Sequence, residues 1–204
     1  YKGVFGGVAI IDEKAPDLAK RMRKLKGQGI RGFRVYANAK NASTWVDSKP
    51  TRSMWREAAK NKQSICCLAD PEALPVISRL CGKHPETPVV IDHFARIGMR
   101  GPVDQKQLDQ LLKLADFKHV TVKTSAFYAL GAKKAPYEDL GPMIRQLRNA
   151  FGAKRLMWAS DCPFQVEGGH TYRDSIALIS DRLDFLTAED KEWMLRKTAE
   201  RVFF

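Results

Sequence analysis

The chain has 204 residues, 44% hydrophobic and 28% charged, the balance of one globular domain with a sizeable core. No apolar run is long enough to span a bilayer and no basic-then-apolar leader opens the chain, so a membrane role is not expected and a cytoplasmic location is. The formal charge of +12 suggests a nucleic-acid binder, but no zinc-finger spacing, RNA-binding signature or aromatic-basic interleaving supports one; the charge reads instead as solvated helix faces with an attraction for small anions.

The predicted elements alternate. An apolar strand over 4–11 leads to a helix entered through Pro16, with Leu18, Met22 and Leu25 on one face and Gly27 and Gly29 ending it. Gly32-Phe33-Arg34-Val35-Tyr36 is a second strand, followed by a polar loop and a helix around Met54 to Lys60. Ser64 to Ala69 is a third strand, whose adjacent Cys66 and Cys67 point to opposite faces. Asp70-Pro71 predicts a capped helix start. Pro88 to Asp92 is a fourth, fully buried strand without polar alternation. Asp104 caps a helix carrying Leu108, Leu111, Leu112 and Ala115. His119 to Thr124 is the fifth strand, with a helix near Asp139 to Phe151 after it, and Arg155 to Ser160 is the sixth. Two helices close the chain, one over Tyr172 to Leu183 and one opened by a capping-box pattern at Thr187-Ala188-Glu189-Asp190. The four cysteines show no CxxC spacing and read as reduced thiols.

Repeated strand–helix units imply parallel strands with right-handed crossovers, either an open doubly wound sheet or a (β/α)8 barrel. No GxGxxG or P-loop follows an early strand, which weighs against the nucleotide-binding sheet. The start at Tyr1-Lys2-Gly3, without an initiator methionine and running straight into a strand, reads as a break inside a larger protein. The expected fold class is therefore α/β, a (β/α)8 TIM barrel lacking its first two strands, with 1–204 as a single domain.

In such a barrel the chemistry sits at the C-terminal ends of strands. Two predicted strands end in polar clusters there: Asp92-His93 with Arg96, and Ser160-Asp161-Cys162 after the sixth strand. Imidazole and carboxylate on two strand ends suit a divalent metal, or a general base paired with a group that polarises a carbonyl. His93 alone would read as a satisfied core histidine and Asp161 alone as a helix cap; together they predict a site. By strand alternation Asp92 points away from it and anchors structure.

The stretches GFRVY (32–36), VVIDHFARIG (89–98), VTVKTSAFYALG (120–131), RLMWASDCPF (155–164) and RKTAERVF (196–203) resemble the amidohydrolase-related family of metal-type (β/α)8 hydrolases, in the branch of pyrone dicarboxylate and sugar lactonases. The resemblance implies that the six strands are strands three to eight of that barrel, that His93 and Asp161 match the family's strand-six histidine and strand-eight aspartate, and that a His-x-His pair lies upstream of Tyr1. It implies one divalent ion, zinc first, held by His93 and Asp161, or in the metal-free lactonases a catalytic Asp161 with His93 polarising the ester. Arg34, Lys40 and Arg96 match positions that hold an anionic substrate, and Tyr128 is placed to touch it. The expected function is hydrolysis of a lactone or related ester carrying an anionic group; a metal-dependent decarboxylase of aromatic or muconate-type acids, or a non-catalytic fragment, are the alternatives. Ala129 stands near a position where the pyrone lactonases carry arginine, and Phe164 where relatives often carry a polar residue or histidine. Of the remaining candidates, His170 reads as a surface histidine near the pocket, His84 and His119 as exposed, Cys162 as a pocket-wall thiol, and the four tryptophans as core. The expected partner is a small anionic molecule, with self-association left open.

Overall fold

The computed structural model describes residues 3–45 and 48–204; Tyr1, Lys2, Val46 and Asp47 lie outside the described residues. Six parallel strands form one sheet in sequence order: β1 (Gly7–Ala9), β2 (Ile30–Ala37), β3 (Ser64–Ala69), β4 (Val89–Ile91), β5 (Val120–Ser125) and β6 (Leu156–Ala159). Helices α1 (Leu18–Gly27), α2 (Ala42–Trp45), α3 (Lys49–Asn61), α4 (Leu74–Lys83), α5 (Gln105–Leu112) and α6 (Gly141–Phe151) fill the crossovers, and α7 (Tyr172–Ala177), α8 (Ala188–Glu192) and α9 (Thr198–Phe203) follow the last strand. This is the α/β barrel architecture expected from the sequence, as a six-stranded arc. No helix among the described residues is long and apolar enough to cross a membrane.

The strands have two unlike faces. Ile65, Cys67, Val89, Ile91, Val120, Val122 and Leu156 pack outward against the helices in the main core. The alternate residues turn inward, where Cys66, Val90 and Met157 meet Phe203 of α9 in a second, smaller cluster. Cys66 and Cys67 thus occupy opposite faces, as alternation requires, and all four cysteines are free thiols. Burial pushes the Cys66 thiol up to about 12, which leaves it inert packing.

Local chemistry accounts for the helix ends. The Ser48 hydroxyl accepts from Thr51 N at 3.5 Å with Pro50 in the first turn of α3. Asp104 caps α5 through Lys106 N and Gln107 N at 2.8 and 3.1 Å, and the capping box of α8 is formed between Thr187 and Asp190. Asp70 is different. Pro71 opens a short 3₁₀ turn before α4, but the Asp70 carboxylate does not cap it and instead holds Arg96 across the sheet end at 3.0 Å. Arg155 pins the start of β6 by donating to the carbonyls of Ala115, Phe117 and Phe151, each at 3.0 Å.

Several elements are shorter than the sequence suggests, the first and fourth strands among them. The first strand contracts from 4–11 to Gly7–Ala9, with Phe5 and Ile10 exposed on either side of it. The fourth ends at Ile91, before its polar cluster. The residues expected to be exposed at His84 and His119 are half-buried, their rings packed on Trp55 and Phe117 with centroids 5.6 and 5.9 Å apart.

Candidate active site

The C-terminal ends of β4, β5 and β6 share one backbone device. His93 (φ 51°), Ala126 (φ 59°) and Asp161 (φ 55°) each take the left-handed conformation just past a strand. None is glycine, so each costs on the order of 1–2 kcal/mol, and strain of this kind gathers at functional sites. After β4 the left-handed turn continues through Phe94, Ala95 and Arg96. Burial of Phe94 and Ala95, with Phe94 against Phe127 at 6.1 Å between centroids, offsets part of that cost.

The turn breaks the alternation on which the orientation of Asp92 was predicted. Asp92 follows Val90 onto the inner face and does not point away from the site. It lies fully buried between Lys123 Nζ at 2.8 Å and Arg34 Nη2 at 3.1 Å. Neither contact has hydrogen-bond alignment at the carboxylate, so the attraction is coulombic. Its anchoring role stands, from inside the barrel. The left-handed His93 then turns its ring over the same interior.

Four side chains converge above this ion cluster. His93 Nε2 faces Asp161 Oδ1 at 3.5 Å, and His93 Nδ1 lies 2.8 Å from Ser125 Oγ at the end of β5. The Tyr128 hydroxyl donates to the other Asp161 oxygen at 2.8 Å. Burial holds the His93 pKa below its ordinary 6.5, against the opposing pull of Asp161 and Asp92, so the ring is neutral at neutral pH. Burial and the Asp161 carboxylate both push the Tyr128 pKa upward, keeping its hydroxyl a donor.

These groups open onto a cavity of about 200 Å³. Its polar lining is Arg34, His93, Arg96, Tyr128 and Asp161; Leu68, Met99, Leu130 and Phe164 supply apolar wall. The structure therefore brings together five of the six predicted site residues. Lys40 is the exception: it sits exposed in the loop after β2, outside the cavity lining. Cys162 is exposed and also outside the lining, contrary to a pocket-wall thiol. His170 stands behind the site, half-buried, its Nδ1 2.8 Å from the Tyr137 hydroxyl and its ring 5.9 Å from that of Tyr128. Ser125 was not singled out from the sequence. Its signal was there in the period of β5, which turns Thr121, Lys123 and Ser125 to one face.

For a metal, His93 Nε2 and Asp161 Oδ1 are the donors that face each other. Among the described residues no group of three or more His, Cys, Asp or Glu side chains gathers to hold an ion, whereas a catalytic zinc takes three protein ligands. The described residues do not by themselves fit a metal.

A parallel barrel arc with imidazole, carboxylate and guanidinium groups at its strand ends has the layout of (β/α)8 enzymes, which place their chemistry on that face. The chain belongs to the amidohydrolase family, whose profile matches residues 1–204. It is similar to a 4-sulfomuconolactone hydrolase of Rhizobium radiobacter, 30% identical over 142 residues that are 70% of this chain and 47% of that protein. The chain thus spans about half the length of this curated relative. Among solved structures, a putative 2-pyrone-4,6-dicarboxylic acid hydrolase from Pseudomonas putida superposes with a TM-score of 0.83 at 24% identity, covering 100% of this chain and 73% of that one. A Burkholderia multivorans amidohydrolase with bound zinc gives 0.81 at 24% identity, covering 97% and 72%.

Proposed function

We propose that this chain is the site-bearing part of a hydrolase that opens a lactone carrying an anionic group. Its six strands would be the third to eighth of a (β/α)8 barrel working in the cytoplasm. The observation that carries the reading is the facing pair of His93 and Asp161 at 3.5 Å, with Tyr128 holding the far oxygen of the carboxylate. Asp161 takes a proton from water as the water oxygen bonds to the lactone carbonyl carbon. His93 donates its Nε2–H to the carbonyl oxygen where negative charge develops. Collapse of the tetrahedral intermediate breaks the ring C–O bond, and Asp161 returns its proton to the leaving oxygen. The product is the open hydroxy acid, one water added.

The lining favours a particular kind of lactone. His93, Asp161 and Tyr128 are committed to the reaction, which leaves Arg34 and Arg96 for substrate. Each is already partnered by a carboxylate, Asp92 and Asp70, but a guanidinium has five N–H donors and retains several for an anion. Apolar side chains fill the rest of the described wall, and among the described residues no Asn, Gln, Ser or Thr lines it. This suits a largely hydrocarbon ring with an acidic substituent better than a polyhydroxylated one, whose hydroxyls would be left unpaired. Were an ion bound, His93 and Asp161 would be this chain's donors to it, with further donors needed from outside the described residues.

The test is Asp161→Asn in the full-length protein. Hydrolysis of an anionic lactone should fall to background while circular dichroism and thermal midpoint stay unchanged. Retained turnover would remove Asp161 from the reaction and the reading with it.

A further inference from the structure

We propose that Ser125 is the positioning residue that fixes the ring of His93 with Nδ1 as acceptor and Nε2–H aimed into the cavity. The inference rests on the lactonase reading for its meaning in catalysis, but its geometry stands apart from any substrate.

A neutral imidazole carries one proton, on either nitrogen, and which one decides whether Nε2 can donate to a carbonyl. The hydrogen bonds around the ring decide between the two. Nε2 looks toward Asp161 Oδ1 at 3.5 Å, and a carboxylate only accepts, so this side calls for a proton on Nε2. Nδ1 is then a lone pair and needs a donor. Ser125 Oγ lies 2.8 Å from it, and a hydroxyl rotates to donate or accept as its partner requires. With Tyr128 donating to Asp161 Oδ2, every proton along Ser125–His93–Asp161–Tyr128 has one consistent placement. A backbone carbonyl in place of Ser125 would force the opposite tautomer, with the Nε2 lone pair facing the carboxylate.

Ser125 itself is not a nucleophile here. It is fully buried, it lies outside the cavity lining, and its Oγ meets the ring nitrogen turned away from the cavity. It touches no reacting atom and acts through His93. The need for such a tether follows from the backbone: His93 starts a left-handed turn, so the bond to β5 ties its ring to the barrel wall.

Nitrogen-15 NMR of ring-labelled histidine in the full-length protein reads the tautomer directly, with the His93 signals assigned by their loss in His93→Asn. The expected spectrum has Nδ1 unprotonated and Nε2 protonated. Ser125→Ala should let both tautomers appear and lower kcat roughly 10- to 100-fold, the usual cost of an orienting partner, with KM within about twofold. Ser125→Thr, which keeps the hydroxyl, should restore the single tautomer. Protonated Nδ1 in the unsubstituted protein would overturn the proposal whether or not the variants fold. An unchanged tautomer and kcat in Ser125→Ala would do the same. If instead the NMR holds and Asp161→Asn still turns lactone over, the lactonase reading fails while the assignment of Ser125 survives.

Discussion

Asp92 offers the sharpest test of how the barrel interior is held. Its carboxylate is fully buried, flanked by Lys123 Nζ at 2.8 Å and Arg34 Nη2 at 3.1 Å. At an effective dielectric of about 20, each contact is worth about 5–6 kcal/mol of gross attraction. Desolvating the ions opposes this by several kcal/mol apiece, so the cluster as a whole adds little net stability. Removing one member is another matter. Asp92→Asn leaves two cations facing each other with no anion between them, and breaking such a buried pair costs about 3–5 kcal/mol. With a urea slope of about 2 kcal/mol per molar, the unfolding midpoint should drop by roughly 2 M. Adding Lys123→Met removes one of the two stranded charges and lets the methionine pack toward Phe203, whose ring lies 5.5 Å from the ammonium. The double variant should therefore recover at least half of the loss. An Asp92→Asn protein within about 1 kcal/mol of the parent would refute the argument, which rests on buried charge balance. So would a double variant no more stable than the single one.

Three further outcomes are expected. Arg96→Ala should raise KM for an anionic lactone about tenfold or more with kcat nearly unchanged, since the guanidinium lines the cavity and pairs with Asp70, not with His93 or Asp161; an equal fall in kcat would mean that it acts in the transition state. Ala126→Gly should raise the thermal midpoint, because glycine takes the positive φ of 59° without the penalty of about 1 kcal/mol that alanine carries, and a lower midpoint in differential scanning calorimetry would count against strain there. Burial holds His84, His93 and His119 below their ordinary 6.5. The unfolded chain therefore binds more protons below that pH, so their contribution to stability is complete above 6.5 and declines as pH falls through the folded-state values. The thermal midpoint should drop from pH 7 to pH 5, by less in the His84→Gln/His119→Gln double variant; a flat profile would show that the burial is not felt.

The parts of this molecule legible in the sequence are those governed by period. Buried parallel strands write themselves as apolar β-branched runs, which is why Ser64–Ala69 and Val89–Ile91 could be found, and capped helices announce their starts, as at Asp104 and Thr187. His93, Arg96 and Asp161 were visible because two buried strands end in polar clusters on the same face of the barrel, a coincidence that a lone core histidine or helix cap does not explain. Partners across the barrel were not legible. Asp70 follows the pattern of a cap, yet its carboxylate goes to Arg96, 26 residues away, because the sheet brings the ends of β3 and β4 together. Lys40 was a candidate through the resemblance alone, and it sits exposed in the loop after β2, outside the cavity lining.

Asp92 shows why alternation alone misplaced part of the site's foundation. Period-two reasoning assumes that the backbone stays extended, and past Asp92 it does not. Four successive left-handed residues follow Asp92, a conformation that non-glycine side chains reach only where the surroundings impose it. Asp92 shares the inner face with Val90, and the left-handed turn brings His93 to that same side instead of the opposite one. The inner face then carries Arg34, Asp92 and Lys123 in one layer. His93 lies over that layer, tied to Ser125 on one side and facing Asp161 on the other. The layer is a fixed set of charges beneath a neutral imidazole, with one carboxylate between two cations. Its surplus positive charge sits under the point where an anionic substrate and a developing oxyanion would both lie. Structure and chemistry share those residues. A substitution at Asp92 should accordingly be felt first as lost stability, and one at Ser125 first as lost rate.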